Sequence, residues 1–286
     1  MTITELAYAK VNLVLRVGAP RGDGLHPLCS IFASVELADR VTVSEAEADR
    51  VACPGVDGQN LASEAVRAFR EAVPVLPPLA VTIDKRIPVA AGLGGGSADA
   101  AAVLRAANEL SGTPLSGEQL RGIAARIGSD VPSQVEPRHA LVSGVGEEVE
   151  PVDLPQMTLA LVPQEDGLST PDVFAELDRL RGGSDPSPAR LDPAGLRRLA
   201  GARLAELAAG IGNDLEPAAI SLRPELEPAI TSLLGAGALA AQVTGSGPTT
   251  FGIFGDRAAA LEASADLEDV IVTEARSFRA SPGERR

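Results

Sequence analysis

Pro88-Val89-Ala90-Ala91-Gly92-Leu93-Gly94-Gly95-Gly96-Ser97-Ala98 is the segment that most restricts what this chain can become. Glycine costs ~0.5–1 kcal/mol per residue relative to alanine in regular structure, so a cluster this dense needs a reason. Here it runs straight into Ala98–Leu110, a stretch of strong helix formers with Ser97 in N-cap position. Small residues let an anion approach the backbone closely. The helix start adds unpaired N–H groups and the positive end of the dipole. The segment reads as a cradle for a di- or triphosphate; the plain alternative is a flexible turn ahead of a helix. Two common phosphate motifs are excluded. A Walker loop needs Lys after its last glycine, and Gly96 is followed by Ser97. A dinucleotide fingerprint needs a third glycine where Ser97 stands.

A chain of 286 residues accommodates two domains of ~100–200 residues, or one large α/β unit. The 45% hydrophobic and 22% charged content is enough for a real core. The net charge of −14 argues against nucleic acid or an anionic membrane as the partner and leaves room for a local phosphate pocket. No apolar run reaches ~18 residues, so no membrane-spanning helix is expected. The opening MTITELAYAK lacks the charged and apolar regions of a signal peptide. Cys29 and Cys53 sit in no CxxC or Cys/His cluster and read as free thiols of a reducing cytoplasm, and no protein-held metal is expected. Among 25 basic residues only Lys10 and Lys85 are lysines. A chain that otherwise uses Arg retains a compact ammonium where one is needed, or by chance, the reading preferred for Lys85.

Lys10–Val17 alternates, with Val11, Leu13, Leu15 and Val17 on one face and Lys10, Asn12 and Arg16 on the other. A turn follows at Pro20–Gly24, then strands at Ile31–Leu37 and Arg40–Ser44, a helix at Asn60–Ala72 and a strand at Leu79–Ile83. Ser116–Ile127 reads as a helix closed by Gly128, and Leu141–Val142 and Glu147–Val152 as strands. The second half reads as strand Met157–Val162, helix Pro171–Leu180, a mobile linker over 181–193, and helices to Leu234. Strands at Leu239–Thr244 and Thr249–Phe254 follow, then a helix at Arg257–Leu267 and a strand at Val270–Thr273. Strands and helices alternate without a regular βαβ repeat, so the fold class is α+β. The Thr244-Gly245-Ser246-Gly247-Pro248 turn reads as a hairpin that could also close over phosphates. Asp130, just past a helix, reads alone as a turn or cap residue. Beside Lys10 it could accept a hydroxyl proton.

Ala9-Lys10-Val11-Asn12-Leu13, the Pro88–Ala101 segment and Thr244–Pro248 resemble the three motifs of the GHMP kinases, which phosphorylate small alcohols with ATP. The matches run in family order over about residues 6–255. GDGLH at 22–26, GSDVP at 128–132, SGVGEEVEPV at 143–152, LSTPDVF at 168–174 and NDLEP at 213–217 resemble one branch, which acts on the 2-hydroxyl of a cytidylylated methylerythritol in the non-mevalonate isoprenoid route. The same superfamily includes mevalonate, phosphomevalonate and homoserine kinases, and a degenerate nucleotide-binding paralogue is a further alternative.

The resemblance implies a two-domain α+β fold. Residues 1–152 would form a ribosomal-protein-like N-terminal domain, 153–280 a ferredoxin-like C-terminal domain, and 281–286 a disordered tail. It makes Lys10 and Asp130 the catalytic pair, Asp130 as base, and Pro88–Ala98 the ATP site. Asn12, His26, Phe32, Thr170 and Phe174 would bind the substrate, His26 reading the cytosine edge and Phe174 stacking on the base. Gly245, Ser246 and Gly247 would close over the phosphates. His26 could instead be a turn residue and Phe32 and Phe174 core residues. Asp99 reads as a first-turn helix charge. ATP and Mg²⁺ are the implied cofactors, and the partner is a small molecule, with no nucleic acid and no membrane. The enzyme would be a cytoplasmic monomer or weak homodimer. The chain departs from the family pattern at Leu25, where tyrosine is usual, and at Ser133-Gln134, where two phenylalanines are usual.

Overall fold

The computed structural model describes residues 1–56, 60–112, 114–182, 191–265 and 267–278. Most of the 181–193 linker and the whole 281–286 tail lie outside these residues. In the first half, β1 (Thr2–Val17), β2 (Leu28–Glu45), β3 (Arg50–Ala52), α1 (Leu61–Ala72) and β4 (Leu79–Asp84) precede α2 (Gly95–Leu110). Then come α3 (Gly117–Ala124), α4 (Val131–Val135), β5 (Ala140–Ser143) and β6 (Glu148–Pro151). The second half holds β7 (Thr158–Val162), α5 (Thr170–Arg181), α6 (Pro193–Ala200), α7 (Leu204–Gly210), β8 (Gly212–Asn213) and α8 (Glu216–Leu222). It ends with α9 (Leu226–Gly235), β9 (Ala240–Val243), β10 (Thr250–Phe254), α10 (Arg257–Ser264) and β11 (Ile271–Glu274).

Two sheets organise these elements. The larger runs β3-β4-β2-β1-β8, with β5 and β6 joined through β2. The smaller is antiparallel in the order β11-β7-β10-β9. Its strand–helix–hairpin–helix–strand sequence is the ferredoxin-like arrangement. The chain passes between sheets after β6, yet β8 returns to lie parallel to β1.

β1 is central because both of its faces are covered. Val11 and Leu13 pack with Leu159, Leu161, Phe251 and Ile253 of the smaller sheet. Pairing with β2 shifts register between Asn12 and Val14. This corrects the simple alternation: Leu15 and Val17 join a different cluster, around Val173, Leu215 and Val243. The two strands expected within 31–44 are one continuous β2.

Helix α2 is buried nearly all round, with Ala98, Ala100, Ala101, Ala102, Ala106 and Ala107 each at most 1% exposed. Such a helix belongs inside a core, and its small side chains allow close packing against α1, β1 and α4. It starts three residues earlier than expected. Gly94, at φ 68°, is the N-cap, so Ser97 lies inside the first turn and does not cap it. The helix after Ser116 is capped as its sequence implies, by a Ser116/Gln119 capping box, but ends at Ala124. Arg21 N–H donates to Leu25 O and Gly24 N–H to Arg21 O, closing the turn that delivers His26.

Candidate active site

Lys10 is presented by the middle of β1, opposite the face that meets the smaller sheet. Its backbone N–H donates to Leu93 O at 3.0 Å, joining the strand to the glycine loop. Its Nζ donates to Asn12 Oδ1 at 2.7 Å and to Gly92 O at 3.2 Å, and lies 3.3 Å from Asp130 Oδ2. The Phe32 ring centroid is 5.0 Å away, within cation–π range. With its side chain 6% exposed, this ammonium requires such partners. Asp130 occupies the N-cap position of α4 but makes no side-chain cap bond. Its carboxylate, 31% exposed, is available both to Lys10 and to a ligand.

Asn12 is fixed from three sides. Its Nδ2 donates to Ser30 Oγ at 3.0 Å, and Ser30 Oγ donates onward to Val14 O. That leaves Oδ1 as the atom that accepts from Lys10. Its backbone N–H donates to Thr244 Oγ1 at 2.9 Å.

The two glycine-rich turns meet here. A Cβ on Gly92 (φ 74°) would lie 2.7 Å from Gly247 O and 2.8 Å from Thr244 O. One on Gly94 would lie 3.0 Å from Lys10 Cγ. Only glycine allows these approaches at such φ. Gly95 differs: its Cβ would press on Ile87 at 3.0 Å and approach Lys85 Nζ at 3.2 Å, so it faces inward. Because no side chain caps α2, the N–H groups of its first turn have no side-chain acceptor.

A cleft of ≈ 710 Å³ opens beside Lys10. Lys10, Asn12, His26, Phe32, Asp130, Thr170 and Phe174 all line it, together with Gly92, Gly94, Gly245 and Ser246. On the far wall, His26 Nε2 is 3.0 Å from Asp178 Oδ1, and the His26 and Phe174 rings stand 4.9 Å apart. Thr170 Oγ1 and Ser246 Oγ share a 2.9 Å hydrogen bond. Gly247 is not on the cleft wall. In the rest of the 88–98 segment, Ala91, Leu93 and Ala98 are buried and Val89, Ala90 and Gly96 exposed. The glycine loop thus touches the cleft through Gly92 and Gly94 and turns its other residues elsewhere.

Three features escaped the sequence reading. Lys85 is not incidental, and Asp99 is not a first-turn surface charge. Lys85 Nζ bonds both Asp39 and Asp99, the latter at 2.9 Å, with Asp39 0% and Asp99 2% exposed. Burial pushes the Asp99 carboxyl up to about 7, against the pull of Lys85. Asn213 Nδ2 donates to Val243 O at 2.9 Å and to Gly245 O at 2.8 Å, holding the second glycine turn. The NDLEP motif was visible, but its role depends on a long-range contact. Asp178 carried no local signal at all.

Among the described residues no group of three or more His, Cys, Asp or Glu is placed to hold a metal. The arrangement therefore offers an anion cradle, a carboxylate–ammonium pair and an aromatic-lined cleft, all meeting at Lys10.

Residues 60–136 match the family model "GHMP kinases N terminal domain" and residues 194–272 match "GHMP kinases C terminal". A 4-diphosphocytidyl-2-C-methyl-D-erythritol kinase of Streptomyces coelicolor is 44% identical, covering 87% of each chain. One from Nocardia farcinica is 43% identical over 97% of this chain and 92% of its own. Among solved structures, a 4-(cytidine 5'-diphospho)-2C-methyl-D-erythritol kinase superposes with a TM-score of 0.77 at 31% identity, covering 96% of this chain and 100% of its own. A homoserine kinase from Cytophaga hutchinsonii (TM-score 0.72, 17% identity, 96% and 93% covered) shares the fold. On these grounds the chain belongs to the GHMP kinases, in the group of the 4-diphosphocytidyl-2-C-methyl-D-erythritol kinases.

Proposed function

We propose that this chain transfers the γ-phosphoryl group of ATP to the 2-hydroxyl of 4-diphosphocytidyl-2-C-methyl-D-erythritol. The observation that carries the chemistry is the Lys10–Asp130 pair at 3.3 Å, set where the cleft meets the glycine loop. The substrate comes from relatives that are 40–44% identical over most of the chain.

In this reading the polyol enters along the cleft with its base toward His26 and Phe174 and its hydroxyl toward Asp130. Asp130 accepts the hydroxyl proton as the oxygen bonds to phosphorus. Lys10, anchored by Asn12 and Gly92, holds the carboxylate in place and faces the charge that develops on the phosphoryl oxygens. The uncapped start of α2 and the close approaches at Gly92 and Gly94 suit a triphosphate. Mg²⁺ would arrive with the nucleotide, since it usually binds through substrate phosphates and water, and it would neutralise charge between the β- and γ-phosphates. We assign residues 1–152 and 153–280 to the two domains, acting as a cytoplasmic monomer or weak homodimer.

A coupled ADP-release assay tests the reading. Turnover is expected with the cytidylylated methylerythritol, ATP and Mg²⁺, and not with mevalonate or homoserine. Equal turnover of either alcohol would overturn the substrate assignment.

A further inference from the structure

His26 is held by two residues one turn apart on the same face of α5. Phe174 lies against its ring, at 4.9 Å between centroids and 40° between planes, and Asp178 Oδ1 sits 3.0 Å from Nε2. On its other side, the turn that delivers His26 is closed by its own hydrogen bonds, including Leu25 N–H to Asp23 Oδ1 at 3.1 Å. The His26 side chain is only 8% exposed, so the ring has little room to rotate. An ionised carboxylate can only accept a hydrogen bond. Asp178 therefore requires the hydrogen to be on Nε2, and in the neutral ring this leaves Nδ1 as a lone-pair acceptor.

We infer that Asp178 is a positioning residue that fixes the tautomer of His26 and thereby makes the cleft select a base bearing an amino group, cytosine over uracil. This rests on the functional reading above, in which the base lies against Phe174. An acceptor at Nδ1 completes a hydrogen bond with the 4-amino group of cytosine. Uracil presents a carbonyl oxygen there, so two lone pairs oppose each other and a desolvated acceptor is left without a donor. Without Asp178 the ring can move its hydrogen to Nδ1, which then donates to the uracil oxygen. The side chain of Asp178 is 41% exposed, so water competes for the bond and the expected effect is moderate.

The test compares kcat/KM for the cytidine- and uridine-diphosphate forms of the methylerythritol substrate in the wild type and in Asp178→Ala, Asp178→Asn and Asp178→Glu. A preference for cytidine is expected in the wild type. It should shrink about tenfold in Asp178→Ala, mainly through KM for the cytidine substrate, with kcat little changed. Asp178→Glu should restore part of it, and Asp178→Asn, whose amide can turn either way, should fall between. A long-range ¹H–¹⁵N spectrum reads the tautomer directly, because the chain has only two histidines. His26 should appear as the Nε2–H form in the wild type and as a mixture in Asp178→Ala. An unaltered base preference in Asp178→Ala, or an Nδ1–H or doubly protonated His26 in the wild type, would overturn the inference. If neither substrate is turned over, the functional reading fails, while the spectrum still decides what Asp178 does to His26.

Discussion

Gly92 and Gly96 stand four residues apart in one motif, and the structure assigns them opposite sensitivities to the same change. At Gly92 an alanine meets two separate penalties. Its φ of 74° is left-handed, which costs an L-residue roughly 1–2 kcal/mol. Its Cβ would also stand 2.7 Å from Gly247 O and 2.8 Å from Thr244 O, both backbone atoms of a turn tied down by Asn213. Neither oxygen can swing aside as a side chain would, and overpacking of this kind typically costs ~1–3 kcal/mol. Gly92→Ala should therefore lose about 2–5 kcal/mol against a domain stability of ~5–15 kcal/mol. Gly96→Ala meets only Leu61 Cδ1, at an ordinary 3.8 Å, inside the first turn of α2. There it should be neutral or gain up to about 1 kcal/mol, as alanine does in a helix. Urea unfolding with matched m-values measures both. The same Gly92 change displaces the carbonyl that accepts from Lys10, so folded Gly92→Ala protein should also show reduced ADP release. A Gly92→Ala protein as stable as wild type, or a Gly96→Ala protein equally damaged, would refute the claim that a left-handed φ and contact between the two glycine turns, and not general flexibility of the motif, require glycine at 92.

Asp130→Asn should lower kcat by roughly 10²–10⁴ with ATP affinity nearly intact, measured by steady-state kinetics and nucleotide titration. Lys10→Arg should fail comparably despite keeping its charge, because a broad fork cannot repeat the contacts to Asn12, Gly92 and Asp130; retained kcat in either variant would contradict the assigned roles. Asp99 has its carboxyl raised by burial from an ordinary 3.8 to about 7, so between these values the folded state holds a proton that the unfolded chain has released. Its contribution to stability falls as pH rises through that window, and Asp99→Asn should flatten this descent in a pH series of urea midpoints. Leu25 lines the cleft while 51% exposed, so Leu25→Tyr should add an aromatic face for the base and lower KM for the cytidylylated substrate several-fold, about 1 kcal/mol, with little change in kcat.

What could be read in the sequence depended on how far apart the interacting residues lie. Local periodicity gave α1, α5, the β9–β10 hairpin and the α+β class, because each is decided by residues within one window. Lys10 and Asp130 could be paired only through the family pattern, as 120 positions of chain separate them and no spacing rule connects them. The misreadings share that cause. Asp99 looks like a surface charge because acidic residues favour the first turns of helices; only the fold brings Asp39 and Lys85 to it. Ser97 looks like an N-cap because serine usually is one, but a left-handed Gly94 starts the helix earlier, leaving Ser97 inside the first turn. Two-residue β8 has no signal of its own and exists because β1 offers it a partner.

The departure at Ser133-Gln134 shows how the fold supports Asp130 without the usual aromatic pair. Both residues are buried, at 3% and 4% exposure, so they occupy the interior position that phenylalanines would. Ser133 Oγ donates to Asp130 O at 2.7 Å, tying α4 to the residue that carries the carboxylate. Gln134 acts through its backbone: its carbonyl accepts from Arg105 Nη1 at 2.8 Å. Arg105 belongs to α2 and uses its remaining nitrogens on β1, donating to Glu5 Oε2 at 2.9 Å and Leu6 O at 3.0 Å. One guanidinium therefore links the helix that begins at the glycine loop, the strand that carries Lys10 and the short helix that positions Asp130. The Ser133 hydroxyl bond is particular to this sequence, whereas the Gln134 carbonyl bond is one that any residue would offer, and through it Arg105 references the two members of the pair to the same rigid helix. Arg suits this task better than Lys, because its planar fork addresses several acceptors at fixed angles. The distance between Lys10 and Asp130 is then set by α2 as much as by β1 or the start of α4.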